Sequence, residues 1–375
     1  MKSNWNYPTS IRFGPGRVSE VGAACQELGI QRPLLVTDPD LAALPPTAAV
    51  LKALEQAGIP VKLFTGVKAN PTDLNVTEGL MTFRAEDCDG VIALGGGSPL
   101  DCGKTIALMA GQERPLWDFE DVGDNWTRIH ELGMAPVVAV PTTAGTGAEV
   151  GRAAVITDSE KKSKRLIFHP KMMPGKVVAD PELTAGMPQK LTVFTGFDAL
   201  AHCLEAFCAP GFHPMADGVA LEGLALIRDN LRRVVAEPGD LLARGAMLTA
   251  SIMGAVAFQK GLGAIHSLSH PVGGYYDTHH GLLNAVFMPY VLEFNREALD
   301  GKWQRLEGVL GEDPLRWVTT LRSELGIPNT LRELDIDDGV LDLASAATAD
   351  PSGATNPRPL DDEAHRYLLE RALNG

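Results

Sequence analysis

Residues 90–104 read GVIALGGGSPLDCGK, and this stretch decides the fold. Gly90, Val91, Ile92, Ala93 and Leu94 form a short run without a polar side chain. A strand that is apolar on both faces belongs inside a parallel sheet covered by helices on each side. Gly95, Gly96, Gly97 and Ser98 follow at once, and Asp101, Cys102, Gly103 and Lys104 fall on what reads as a helix. Glycines there allow a pyrophosphate to approach the backbone, and the N–H groups and positive dipole end of the helix offset its charge. The pattern is not GxGxxG, and a tight strand-to-helix turn would look the same.

Working outward, further strand patterns fall at 33–38, 61–66, Val137–Pro141 and 176–180, with helix-period stretches between them. Residues 5–17 read as a strand or hairpin at a sheet edge. Strand–helix alternation of this kind builds an α/β domain on a parallel sheet. After Pro188 the strand signals stop. Long amphipathic stretches at 193–207, 216–235, 241–260, 284–297 and 360–374 follow, punctuated by Pro210-Gly211, Pro238-Gly239 and Pro351-Ser352-Gly353. The expectation is an α/β domain over 1–185 and an all-helical domain over 186–375, in line with a chain too long for one core.

The formal charge of −14 argues against nucleic acid and equally disfavours an anionic membrane surface. The opening MKSNWNYPTS lacks the apolar core of a signal peptide, and the longest nearly apolar run, 246–258, is short for a bilayer span. Five scattered cysteines without a CxxC pair make neither a disulfide framework nor a thiolate zinc site. The expected setting is the cytoplasm.

A second polar turn, PTTAGTG at 141–147, also follows an apolar strand. In open parallel sheets ligands bind beyond the carboxyl ends of strands, where both turns lie. Asp38 ends the strand LLVTD; it either caps a helix or accepts hydrogen bonds from an adenosine ribose while repelling a 2′-phosphate.

The helical half carries the metal chemistry. Asp198 and His202 stand at i, i+4 in FDALAHCLEAF, one turn apart on one helix face. His266 and His270 repeat that spacing, and His279 and His280 follow in front of Gly281, so five of nine histidines gather in two clusters. Carboxylate with imidazoles suits a divalent transition metal of the iron or zinc kind, whereas calcium and magnesium prefer oxygen. Spacing alone does not choose between His279 and His280.

Together GGGSPLDCGK, PTTAGTGAEV, DPELTAGMP, TGFDALAHCLEAF, AFQKGLGAIHSLSHPVGGYYDTHHGLLNAVFMPYVL and TNPRPL resemble, in order and across nearly the whole chain, the iron-containing alcohol dehydrogenases. The resemblance implies a nucleotide-binding α/β domain and an all-α metal domain around a cleft, the dehydroquinate synthase-like architecture. It implies a metal held by Asp198, His202, His266 and His280, with the His-Gly pair selecting His280 and with His270 beside the substrate. It also implies NAD(H) on Gly95, Gly96, Gly97, Ser98, Asp101, Thr142 and Thr143, with Asp38 near the ribose. Small primary alcohols and aldehydes would be the substrates, Fe2+ the metal with Zn2+ or Mn2+ as substitutes, and a homodimer or larger assembly the state. Lys260, where the family carries small or amide residues, either faces an anionic substrate tail or serves as a solvated helix-end cation. The first option would make the enzyme a semialdehyde reductase or ω-hydroxy acid dehydrogenase. From another class, a dehydroquinate synthase-like lyase shares the fold but uses three metal ligands.

Overall fold

The structure, a computed structural model, describes residues 9–375. The described residues divide into two compact units: residues 9–143 together with Gly147–Gly186, and Ala144–Thr146 together with Met187–Gly375.

In the first unit, β1 (Ser10–Phe13), β2 (Pro33–Val36), β3 (Lys62–Phe64), β4 (Gly90–Gly95), β5 (Val137–Pro141) and β8 (Lys176–Ala179) build one sheet in the order β1-β8-β5-β4-β2-β3. All its pairings are parallel. Ile92 pairs with Leu35 on one side and Val138 on the other, and all three are fully buried. Helices α1 (Val21–Glu27), α2 (Pro39–Ala42), α3 (Pro45–Gln56), α4 (Asp73–Ala85) and α5 (Gly97–Met109) complete the alternation. Thr72 and Asn75 start α4 with reciprocal side-chain caps. The edge reading of the N-terminal stretch resolves into a single strand, β1, paired with β8; residues 5–8 lie outside the described residues. One element is new: an antiparallel hairpin of β6 (Ala153–Asp158) and β7 (Ser163–Phe168).

The described residues of the second unit contain helices and turns only: α6 (Gln189–Cys208), α7 (Pro214–Ala236), α8 (Leu241–Ala257), α9 (Ala264–Tyr276), α10 (His280–Asn295), α11 (Lys302–Leu310), α12 (Pro314–Glu324), α13 (Ala344–Ala349) and α14 (Asp362–Asn374). Of the 20 residues of α6, 16 are buried, so it is the unit's central helix. Glycines let its neighbours close in. A Cβ on Gly223 of α7 would stand 2.6 Å from Cys203 Sγ, and one on Gly254 of α8 would stand 3.0 Å from His202 Cβ. Two segments, Gln189–Cys208 and Leu241–Lys260, are long and apolar enough to cross a membrane, but 89% and 67% of these windows are buried within the fold.

Candidate metal centre and nucleotide turns

Helix α6 presents Asp198 and His202 from successive turns, α9 supplies His266 and His270, and α10 opens with His280. Two local features bring α10 to α6. A Cβ on Gly281 would sit 2.1 Å from the Phe194 carbonyl oxygen, so only glycine permits that approach. His279 accepts the Gly281 N–H through Nδ1 at 3.2 Å and packs its ring on Phe194 at 5.1 Å. His279 thereby caps α10, and His280 turns inward.

Around Asp198 Oδ1 stand three imidazole nitrogens: Nε2 of His202 at 3.8 Å, of His266 at 3.8 Å and of His280 at 3.5 Å. A tetrahedral ion with ligands at about 2.0–2.2 Å separates neighbouring donors by roughly 3.3–3.6 Å, close to this spacing. The ligand atoms of Asp198, His202 and His266 lie within 4.8 Å of one another. The Asn284 amide confirms the focus: it donates to Asp198 Oδ1 at 2.9 Å and lies 3.2 Å from His280 Nε2 and 3.5 Å from His266 Nε2. Acceptors converging on one point from one carboxylate and three imidazoles fit a divalent transition metal.

Burial and neighbouring charge act differently on these groups. Burial raises the Asp198 carboxyl, but the surrounding imidazoles, His202 foremost, pull it well below the carboxylate range. Burial drives His202 down to about 4, so it presents a neutral ring at pH 7. Burial also opposes charge on His266, yet Glu205 and Asp198 outweigh it and raise that ring.

The outer partners escaped the sequence reading. Thr146 Oγ1 donates to Asp198 Oδ2 at 3.2 Å, Glu205 Oε2 lies 2.6 Å from His266 Nδ1, and Asp350 Oδ2 lies 2.8 Å from His270 Nδ1. Glu205, three residues beyond His202, and Asn284, four beyond His280, carry a helical-spacing signal. Thr146 and Asp350 carry none. His270 stacks on His280 with ring centres 5.1 Å apart, and its side chain remains 24% exposed.

Lys260 takes neither expected role. Its ammonium pairs with Asp217 and donates to the Phe207 carbonyl at 3.1 Å, and the side chain is 2% exposed. Lys302 donates to the carbonyls of Cys208 and Ala209 at 3.0 and 2.6 Å, so two lysines, Lys260 and Lys302, close the end of α6. An anionic substrate would have to displace Asp217 to reach Lys260.

In the α/β unit, β4 runs into the turn Gly95, Gly96, Gly97 and Ser98, where α5 begins without a side-chain cap on Gly96. The first helical bond is from Leu100 N–H to the Gly96 carbonyl at 3.2 Å. Gly95 has φ of +145° and no room for a Cβ beside Pro99. Thr142 N–H donates to the Gly95 carbonyl at 3.0 Å, and Thr143 lies against Gly96, so both polar turns meet. Ser98 Oγ donates to the Ala69 carbonyl. Asp101 is committed beneath the turn: Oδ1 pairs with Lys104 at 2.9 Å and Oδ2 accepts Val155 N–H at 2.9 Å. Glu149, buried nearby, is pushed up to about 7 by burial, partly offset by Lys104. Asp38 Oδ1 caps α2 through Leu41 N–H at 2.8 Å.

Comparison with known proteins follows the same division. The model of iron-containing alcohol dehydrogenase matches residues 8–181, and that of the Fe-containing alcohol dehydrogenase family C-terminal region matches 192–373. The chain is 39% identical to a 4-hydroxybutyrate dehydrogenase of Cupriavidus necator, over 98% of this chain and 99% of that one. It is 35% identical to an NAD-dependent methanol dehydrogenase of Bacillus methanolicus, over 99% and 100%. A crystal structure of 1,3-propanediol oxidoreductase superimposes with a TM-score of 0.94 at 35% identity, covering both chains fully. With both halves matched and relatives aligned from end to end, the chain belongs to the iron-containing alcohol dehydrogenase family.

Proposed function

We propose that this metal- and NAD-dependent alcohol dehydrogenase, equally an aldehyde reductase for small primary substrates, works through Asp198, His202, His266 and His280 as ion holders. The observation that carries the proposal is the convergence of three imidazole Nε2 atoms on Asp198 Oδ1 at 3.5–3.8 Å. A divalent ion bound there, Fe2+ with Zn2+ or Mn2+ as substitutes, supplies Lewis acidity toward the substrate oxygen. His270 handles the hydroxyl proton: Asp350 occupies Nδ1, which leaves Nε2 to give and take it. The turn of Gly95, Gly96, Gly97 and Ser98, with Thr142 and Thr143, receives the phosphates of NAD(H), and Asp101 holds that turn from beneath. Asp38 disfavours a 2′-phosphate while it caps α2. Five buried free thiols and the acidic composition support a cytoplasmic setting, and a homodimer or larger assembly is the expected state.

A second reading, oxidation of an ω-hydroxy acid or reduction of its semialdehyde, draws on the 39% identical 4-hydroxybutyrate dehydrogenase and not on Lys260. The test follows NAD+ reduction with ethanol, propanediols and 4-hydroxybutyrate, using chelator-treated protein with and without Fe2+. Activity should require the ion, and the preferred substrate decides between the readings. A metal-free protein turning over at the full rate sinks the metal assignment. Asp38→Gly should narrow the preference for NAD(H) by improving kcat/KM for NADP(H); wild-type protein using both cofactors equally would remove Asp38 from the nucleotide site.

A further inference from the structure

Glu205 is a buried carboxylate on α6, one turn beyond His202 and two beyond Asp198, so it lies on the same side of the helix. Both of its oxygens are committed at the start of α9. Oε1 accepts Ile265 N–H at 2.6 Å, and Oε2 lies 2.6 Å from His266 Nδ1. Room for the carboxylate comes from Gly263, where a Cβ would stand 2.9 Å from Oε1. Asn356 Oδ1 accepts the adjacent Ala264 N–H at 3.2 Å, so the first N–H groups of α9 are satisfied by two buried side chains.

A carboxylate accepts but does not donate, so Nδ1 must carry the proton in the Glu205–His266 bond. Nε2 is then the nitrogen left to hold an ion, facing Asp198, His202 and His280. We propose that Glu205 is the positioning residue that fixes His266 in its metal-binding tautomer and so sets the affinity of the centre for its ion. The same carboxylate anchors the helix that carries His266 to the helix that carries Asp198 and His202. It makes a carboxylate–histidine–metal relay in which the third donor, His266, is oriented by the helix that supplies the first two. The inference rests on reading the four residues as a metal site.

The substitution Glu205→Gln isolates the tautomer, because the amide keeps the size of the side chain but has one acceptor oxygen for two N–H groups. With that oxygen on Ile265 N–H, the NH2 faces Nδ1, which must accept, and the proton moves to Nε2. Competition with a chromophoric chelator should show Co2+ and Zn2+ affinity reduced about 10- to 100-fold in Glu205→Gln. The visible bands of the Co2+ protein should change, while the melting temperature of the metal-free protein is kept. Wild-type affinity and spectrum with a lowered melting temperature would make Glu205 a helix cap alone and overturn the proposal. Nitrogen NMR of the Zn2+-loaded wild type tests it without a variant: His266 should show an exchange-protected Nδ1–H, and its absence refutes the relay. A wild-type chain that binds neither ion defeats the metal reading itself, a result distinct from equal binding by wild type and variant.

Discussion

Three imidazoles of the centre have an outer side-chain partner. His266 leans on Glu205, His280 Nδ1 lies 3.3 Å from Ser269 Oγ, and His270 is bound by Asp350. His202→Ala, His266→Ala and His280→Ala should each lose metal and nearly all activity, measured by elemental analysis and NAD+ reduction. His270→Ala should keep its metal and lower kcat about 10²-fold with an altered pH profile, the size expected for a proton-handling group. A second residue-scale effect belongs to Glu149. Its carboxyl sits at about 7 in the fold against 4.5 ordinarily. As pH rises the unfolded chain gives up this proton first, so the folded state gradually loses its advantage. The contribution is therefore fully present below about 4.5 and fades as pH passes through 7. Glu149→Gln should match wild type in denaturant unfolding near pH 4, below the ordinary carboxyl value of 4.5. Near pH 8 it should be more stable, with on the order of 3 kcal/mol as the upper limit. The pairs Asp198–His202 and His266–His270 were legible because helical spacing leaves a trace in sequence, whereas His280 was told from His279 only by the family resemblance. Asp350 was not, because its approach to His270 spans 80 residues and depends wholly on tertiary packing.

Among elements, β2, β3, β4, β5 and β8 fall within the stretches that read as strands. β2, β4 and β5 are buried at every position. The β6–β7 hairpin was missed because Lys164, Arg165 and Asp158 make it resemble a loop; in the fold Arg165 pairs with Asp158 at 2.8 Å and with Glu120. Helix α9 was hidden by Pro271 and by Gly273-Gly274, yet it runs through them from Ala264 to Tyr276. Packing outweighs local propensity there. The approach of α10 to α6 gives the element-scale prediction. Gly281→Ala places a methyl 2.1 Å from the Phe194 carbonyl, so α10 must shift and carry His280 away from Asp198. The expected result is a folded protein by circular dichroism with weakened metal binding. Full metal content with normal activity would show that α10 gives way without moving His280.

For the molecule as a whole, an ion that binds only the folded helical unit stabilises that unit by mass action. At 100 times Kd this is about 2.7 kcal/mol, which moves Tm by about 5–10 °C for a unit of this size. Chelation should lower the calorimetric transition by that amount, while NAD+ binding by the α/β unit, followed by nucleotide fluorescence, survives. The chain's path adds a consequence for engineering. Ala144–Thr146 interrupts the α/β unit in sequence but belongs to the helical one, where Thr146 holds Asp198 and Gly145 fits against Thr195. A recombinant exchanging halves between relatives at residue 186 would therefore inherit its ion holders from one parent and the hydroxyl behind Asp198 from the other. The heritable module is discontinuous, and a productive graft has to carry three residues from forty positions upstream along with its C-terminal half.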